Sequence, residues 1–456
     1  MKKSIGFIMV SCLLAICSCT TDEENFEEKK VEQNTAKSTG SVPMPQIIKN
    51  EIVIQYTEKN LEKKEIRKYY ENLYKFKITD RKTCNCDNDD IELWTVDLTG
   101  CIFSTIEELK ENLPSKDHAG GVETDKINAD LNFYFKINNN SILGGNNTSS
   151  LIEKTFINNP GNAVNIAILD TGIDYSFFPK PFLYNSSNTS TCQDEISGWD
   201  FVNTDNDPID DNGHGTMIAK IITDQLNKHE VPYTIMAVKA FDSNGKGSYW
   251  TAVCGINHIA KKHDNFIVNT SFGFYKINDQ KIFKNIVDSA NNKLLLVSSA
   301  GNLGVNTDII GNEHFPSGYD SANILTVGGY IKGEFFTYPI YGSPYVSGLL
   351  KADRSNYGNS SIDALAPFDE HKITLVNSNI SILENKKGTS FAAAEVTARA
   401  AQLSMQTSTT PLAIKNKTLE SGFIVRDLNG YIDNGRVIVR NLMNPGARPT
   451  PTPASN

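Results

Sequence analysis

Ala163-Val164-Asn165-Ile166-Ala167-Ile168-Leu169-Asp170-Thr171-Gly172 is a nearly unbroken apolar run that stops at a carboxylate, a hydroxyl and a glycine. A short run without alternation predicts a strand buried on both faces, as in a parallel sheet. Asp170 then stands at its C-terminal end, where open parallel sheets present ligands. Further strands are read at Met236–Ala240, Phe266–Asn269, Leu294–Ser298 and Ile324–Val327, with a helix over Thr251–His263 between two of them. Alternating strands and helices from about residue 130 onward predict an α/β unit with helices flanking the sheet.

Residues 47–125 read differently. Ile52-Val53-Ile54 is a short strand. Glu58 to Lys75 is helical, with Leu61, Ile66, Tyr69, Tyr70 and Leu73 toward one face. Phe76–Ile78 and Ile91–Val96 follow as strands. Ser104 and Glu107 have the spacing of a capping box ahead of Ile106, Leu109 and Leu113. Gly120-Gly121 breaks the chain, and Val122-Glu123 begins a last segment. The order βα, ββ, αβ predicts a small α+β domain.

With 44 basic against 53 acidic residues the net charge is −9, which argues against a nucleic-acid partner. The 456 residues allow a large core and more than one domain. Lys2, Lys3 and the apolar stretch Ile5–Ile16 read as an export signal. The run ends Ile16-Cys17-Ser18-Cys19 and looks like a bacterial lipobox, with Cys19 as the lipidated residue and membrane anchor. The expected segments are a signal at 1–18, a polar tether at 19–46 and, at the other end, a Pro-rich unfolded tail at 444–456. The expected location is outside the cytoplasm, on the outer membrane or cell surface. Oxidising surroundings permit disulfides among Cys84, Cys86, Cys101, Cys192 and Cys254, with the pairing open. Cys254, inside a helical pattern, is expected as a buried thiol.

Two more motifs share the α/β unit with Asp170. Asn212-Gly213-His214-Gly215-Thr216 leads into a helix, and so does Gly388-Thr389-Ser390-Phe391-Ala392-Ala393-Ala394. Singly, such motifs are caps and loops. Together, Asp, His and Ser are the parts of a nucleophilic hydrolase.

The joint pattern resembles the subtilisin-like serine proteases, whose chain order is Asp, His, Ser. The resemblance spans most of residues 130–443. Asn269-Thr270-Ser271-Phe272-Gly273 looks like that family's substrate-binding strand, and Ser299-Ala300-Gly301-Asn302 like its oxyanion segment. Phe315-Pro316, Ile324–Gly328, Ser355–Gly358 and Ala364–Pro367 also match. The resemblance implies a serine endopeptidase of subtilisin-like fold, in which Ser390 attacks, His214 is its base and Asp170 orients His214. Asn302 would donate to the oxyanion. Ser271, Phe272, Gly273, Ser299, Ala300 and Gly301 would bind an extended peptide by strand addition. It also implies that 47–125 is a propeptide, a partner that blocks the site in cis. No cofactor is expected for the chemistry, and a monomer is expected.

Departures fall at Met217, Lys220, Phe391 and Ala394, none of them in the triad. Asp205, Asp207, Asp210 and Asp211 read either as a solvated acidic loop or as a structural calcium site. His314 before Phe315-Pro316 is either a loop residue or a wall of the pocket for the residue preceding the scissile bond. Two other readings remain open: a silent peptide-binding lipoprotein, and an aspartic protease, since Asp170-Thr171-Gly172 is also that family's tripeptide.

Overall fold

The computed structural model of the chain describes residues 42–57, 62–84, 90–113, 126–137, 142–143, 163–178, 183–185, 192, 194–277, 280–340, 343–377, 380–406 and 410–439. The expected signal, Cys19, most of the tether, Gly120-Gly121, Val122-Glu123 and the Pro-rich tail lie outside these residues. Residues 40–456 cluster as one compact unit. No helix among the described residues is long and apolar enough to cross a membrane.

The N-terminal part contains β1 (Gln46–Tyr56), α1 (Lys63–Tyr74), β2 (Lys77–Thr83), β3 (Ile91–Asp97), α2 (Ile106–Asn112) and β4 (Ile127–Lys136). Its strands form an antiparallel sheet in the order β2-β3-β1-β4. The small sheet therefore runs past residue 125, to Lys136. α1 buries Ile66, Tyr70 and Tyr74, a fourfold spacing that leaves Tyr69 and Leu73 exposed, contrary to the expected stripe. The N-cap of α2 is Thr105, one residue later than read, and the return bond goes to the residue before it. Thr105 Oγ1 accepts from Glu108 N, and Glu108 accepts from Ser104 N.

The larger part follows as β5 (Val164–Asp170), β6 (Gly198–Asp200), α3 (His214–Lys228), β7 (Tyr233–Lys239), β8 (Lys246–Ser248), α4 (Tyr249–Lys261), β9 (Phe266–Thr270), β10 (Phe274–Tyr275), α5 (Ile282–Ser289), β11 (Leu294–Ser299), β12 (His314–Phe315), β13 (Ile324–Ile340), β14 (Ser343–Lys351), β15 (Ala364–Pro367), α6 (Thr389–Ser404) and α7 (Pro411–Glu420). Parallel pairing gives the order β6-β7-β5-β9-β11-β13-β15. The α/β architecture with a largely parallel sheet is thus the one expected. β13 runs beyond Val327 and turns back antiparallel as β14, a hairpin the apolar pattern did not disclose. Along β5, Ile166 and Ile168 enter the core made with α3 and α6, while Ala167 and Leu169 enter the core made with α4 and α5. Both faces are covered, which is why the strand does not alternate.

The core that holds α4 and α5 also holds the small sheet. Phe133 stacks on Tyr249 at 5.2 Å between ring centroids. The buried Asp130 carboxylate accepts from Tyr249 Oη (2.7 Å) and from the backbone N–H of Lys281 (3.0 Å) and Ile282 (2.7 Å) at the start of α5. Asn132 Oδ1 accepts from Trp250 N (3.0 Å) in the first turn of α4. Strand β4 thus satisfies N–H groups that helix starts leave unpaired. Cys254 is buried as expected, but it is not a thiol: it is disulfide-bonded to Cys84. Cys192 is also disulfide-bonded, to a partner outside the described residues, and Cys101 is free.

Burial pushes the Asp130 carboxyl up to about 6. Below the ordinary carboxyl value of about 4 both folded and unfolded chains hold this proton, and above about 6 neither does. Between them only the folded chain does, so this group's contribution to stability falls as pH rises from about 4 to 6. Asp130→Asn should remove that component from the pH dependence of the denaturant midpoint. Asp130→Ala, which strands three donors, should cost roughly 3 kcal/mol.

Candidate active site

Three chain turns bring the site together. Asp170 ends β5 and is fully buried. His214 opens α3 after Gly213, whose φ of 107° suits glycine. The turn is wound on Asp210, whose carboxylate accepts from Asn212 N, Gly213 N, Thr216 N and Thr216 Oγ1. Thr171 Oγ1 accepts from Gly215 N (2.9 Å), locking α3 to the end of β5. A Cβ on Gly215 would lie 2.2 Å from Gly172 O, so only glycine allows this approach.

His214 Nδ1–H donates to Asp170 Oδ1 at 2.7 Å and Oδ2 at 2.9 Å. That fixes the tautomer and leaves Nε2 as the acceptor. Nε2 is buried without a hydrogen-bond partner. A buried acceptor left open is costly, and here it marks the atom that would take a proton. Asp170 faces an imidazole and not a second carboxylate, so the aspartic-protease reading is set aside.

Ser390 is the second residue of α6, behind Gly388. The next side chain, Phe391, packs against the His214 ring at 5.7 Å between centroids. The Ser390 hydroxyl donates to Ser271 O at 3.0 Å and not to His214 Nε2. Catalytic hydrogen bonds often form only around substrate.

Asn302 Oδ1 accepts from Thr389 N (2.9 Å) and Thr389 Oγ1 (3.2 Å). The amide is thereby turned so that Nδ2 is its remaining donor, beside Gly388. Asn356 holds the segment in shape: its Nδ2 donates to Ala300 O (2.8 Å), and its Oδ1 accepts from Leu303 N (3.0 Å). Sequence reading matched the Asn356 motif but gave it no task, and it did not single out Thr171 or Thr389 beyond their motifs. Asn356 is fully buried, and nothing in the sequence marks that.

Ser271, Phe272 and Gly273 continue from β9, while Ser299 ends β11 and Ala300 and Gly301 follow it. Ser271, Phe272, Gly273, Ser299, Gly301, Asn302, His314 and Ser390 line one groove, while Ala300 turns inward to the core. The His314 ring lies between the two strands' glycines. A Cβ on Gly273 would meet its Nε2 at 2.2 Å, and one on Gly301 its Cδ2 at 2.9 Å. Ser317 Oγ lies 2.7 Å from Nδ1 and donates to His314 O. Burial holds the His314 ring far below the usual range, at about 3, so it is neutral.

The last residues of β4 enter the same groove. Tyr134, Phe135 and Lys136 pair antiparallel with Ser248, Gly247 and Lys246. Phe135 packs on Phe272, and Ile137 N donates to Gly245 O at 2.8 Å. After residues 138–141, which lie outside the description, Ile142 N donates to Asn212 O, two residues from His214.

Among the described residues Asp205, Asp207 and Asp210 form no group of three carboxylates within common ligand reach, and Asp210 accepts from the backbone of the His214 turn. Lys239 Nζ takes Asp211 at 2.7 Å. The cluster that does gather, Cys192, Glu195 and His258, has its sulfur in a disulfide, and a metal needs a thiolate.

The chain is 30% identical over 248 residues to a thermophilic serine proteinase of Bacillus sp. (strain AK1), covering 53% of this chain and 52% of that one. It is 29% identical over 151 residues to thermitase of Thermoactinomyces vulgaris, covering 32% and 49%. The chain thus spans about half the length of these relatives. A crystal structure of a cold-adapted subtilisin-like serine proteinase aligns over 67% of this chain and all of that one, at 20% identity and a TM-score of 0.45. Residues 161–430 match the subtilase family, a span that contains Asp170, His214 and Ser390, and the chain belongs to that family.

Proposed function

We propose that this chain is an exported serine endopeptidase that cleaves peptides bound in extended form, with Cys19 as a lipid anchor and the small sheet as its propeptide. The buried Asp170–His214 pair with an open Nε2 carries the reading. In the reaction, Ser390 Oγ rotates from Ser271 O toward Nε2, gives up its proton there and adds to the substrate carbonyl. Asp170 stabilises the imidazolium. Asn302 Nδ2 and the N-terminus of α6 meet the negative charge that develops on the carbonyl oxygen. His214 then returns the proton to the leaving amine, and water repeats the sequence to free Ser390. Strands β8 and Ser271–Gly273 supply edges for the peptide. The silent peptide-binder reading would not require so complete a set.

The position of β4 supports its role as a segment that fills the groove. A cut between residues 137 and 142 would mature the chain, a narrower window than the 125–150 stretch that its Asn, Ser and Gly content suggests. Intact mass should show a cut wild type and an uncut Ser390→Ala chain.

His314 would set the depth of the pocket beside Ser390. With an imidazole between Gly273 and Gly301, small side chains are favoured before the scissile bond. His314→Gly should raise kcat/KM for a large side chain relative to a small one by roughly tenfold or more. An unchanged ratio would remove His314 from specificity.

A further inference from the structure

One covalent bond between described residues crosses the proposed cut. Cys84, at the end of β2, is bonded to Cys254, in the middle of α4, over 170 residues of sequence. One half-cystine lies on each side of residues 138–141. Both are buried, at 3% and 1% exposure. Strand β4 is paired with β1 along Ile127–Leu131, so it belongs to the fragment that Cys84 holds.

We propose that cleavage leaves the molecule covalently whole, with Cys84–Cys254 tethering the small sheet to the catalytic part as a permanent second fragment. This rests on the cut proposed above. Hydrolysis adds one water across the peptide bond and changes no sulfur, so the tether survives it. The retained fragment keeps an effective concentration on the order of millimolar at the groove. Substrate enters when residues 134–136 leave β8, an intramolecular opening and not a dissociation. Anything attached upstream of residue 84, including a lipid on Cys19, stays joined to the enzyme. Opening this tether requires a dithiol, which is oxidised to its own disulfide while Cys84 and Cys254 each gain a hydrogen. Burial of both sulfurs excludes that attack until the interface opens.

The test is electrophoresis and intact mass in denaturant, with thiols blocked, with and without reductant. Cys192→Ser removes the other described half-cystine, so the readout belongs to one bond. This protein should run as one species without reductant and as two fragments with it. Adding Cys84→Ser and Cys254→Ser should give two fragments in both conditions. Two fragments from Cys192→Ser without reductant would overturn the tether. One species even with reductant would instead overturn the cut. The tether is then read on Ser390→Ala/Cys192→Ser protein carrying an inserted site for an added endoprotease between residues 138 and 141. Separation of that nicked chain without reductant would again overturn it.

Discussion

Ser390→Ala and His214→Ala should each abolish peptide hydrolysis, by on the order of 10⁶-fold in kcat, the magnitude established for subtilisin itself. Nucleophile and base act as one unit, so the double variant should lose no more than either single one. The folds should survive. Ser390 gives up one hydrogen bond to Ser271 O, and Ala is a better helix former than Ser at the start of α6. His214→Ala opens a small void under Phe391 but leaves Asp210 winding the turn. Circular dichroism and the denaturant midpoint check the fold, and single-turnover kinetics with a chromogenic peptide check the loss.

Asp170→Asn should cost less, on the order of 10⁴-fold. Both Asp170 oxygens accept from His214 Nδ1–H. An amide in that place offers a donor, which favours the tautomer with the proton on Nε2. The base then faces Ser390 already protonated. The substitution should lower kcat with little change in KM, because it touches no peptide-binding strand. A loss as large as that of Ser390→Ala would mean that Asp170 holds the site together and does more than orient the ring.

Much of this was legible in the sequence because it depends on local rules. The β5 run is apolar at successive positions because helices cover both faces, and that same fact puts Asp170 at a strand end. The glycines at 213 and 215 announce a sharp turn and a close approach. Other parts depend on distant packing. Nothing local says that Cys84 meets Cys254, or that Asp130 reaches Lys281, because each pair is set by how the small sheet lies on α4 and α5. Composition marks the acidic loop but not its partners: backbone donors take Asp210, and Lys239 takes Asp211. Strand β4 spans residues 127–136, and no local pattern announces that its polar Asp130 and Asn132 lie inside. They are buried against helix starts.

The central claim is that Ser390 is the nucleophile and His214 activates it. A fluorophosphonate probe reacts with such a serine alone, and peptide mapping locates the adduct. Cut wild-type protein should carry one adduct, on Ser390, with labelling lost in His214→Ala and in Ser390→Ala. An adduct on another residue, or equal labelling of Ser390→Ala, would contradict the account.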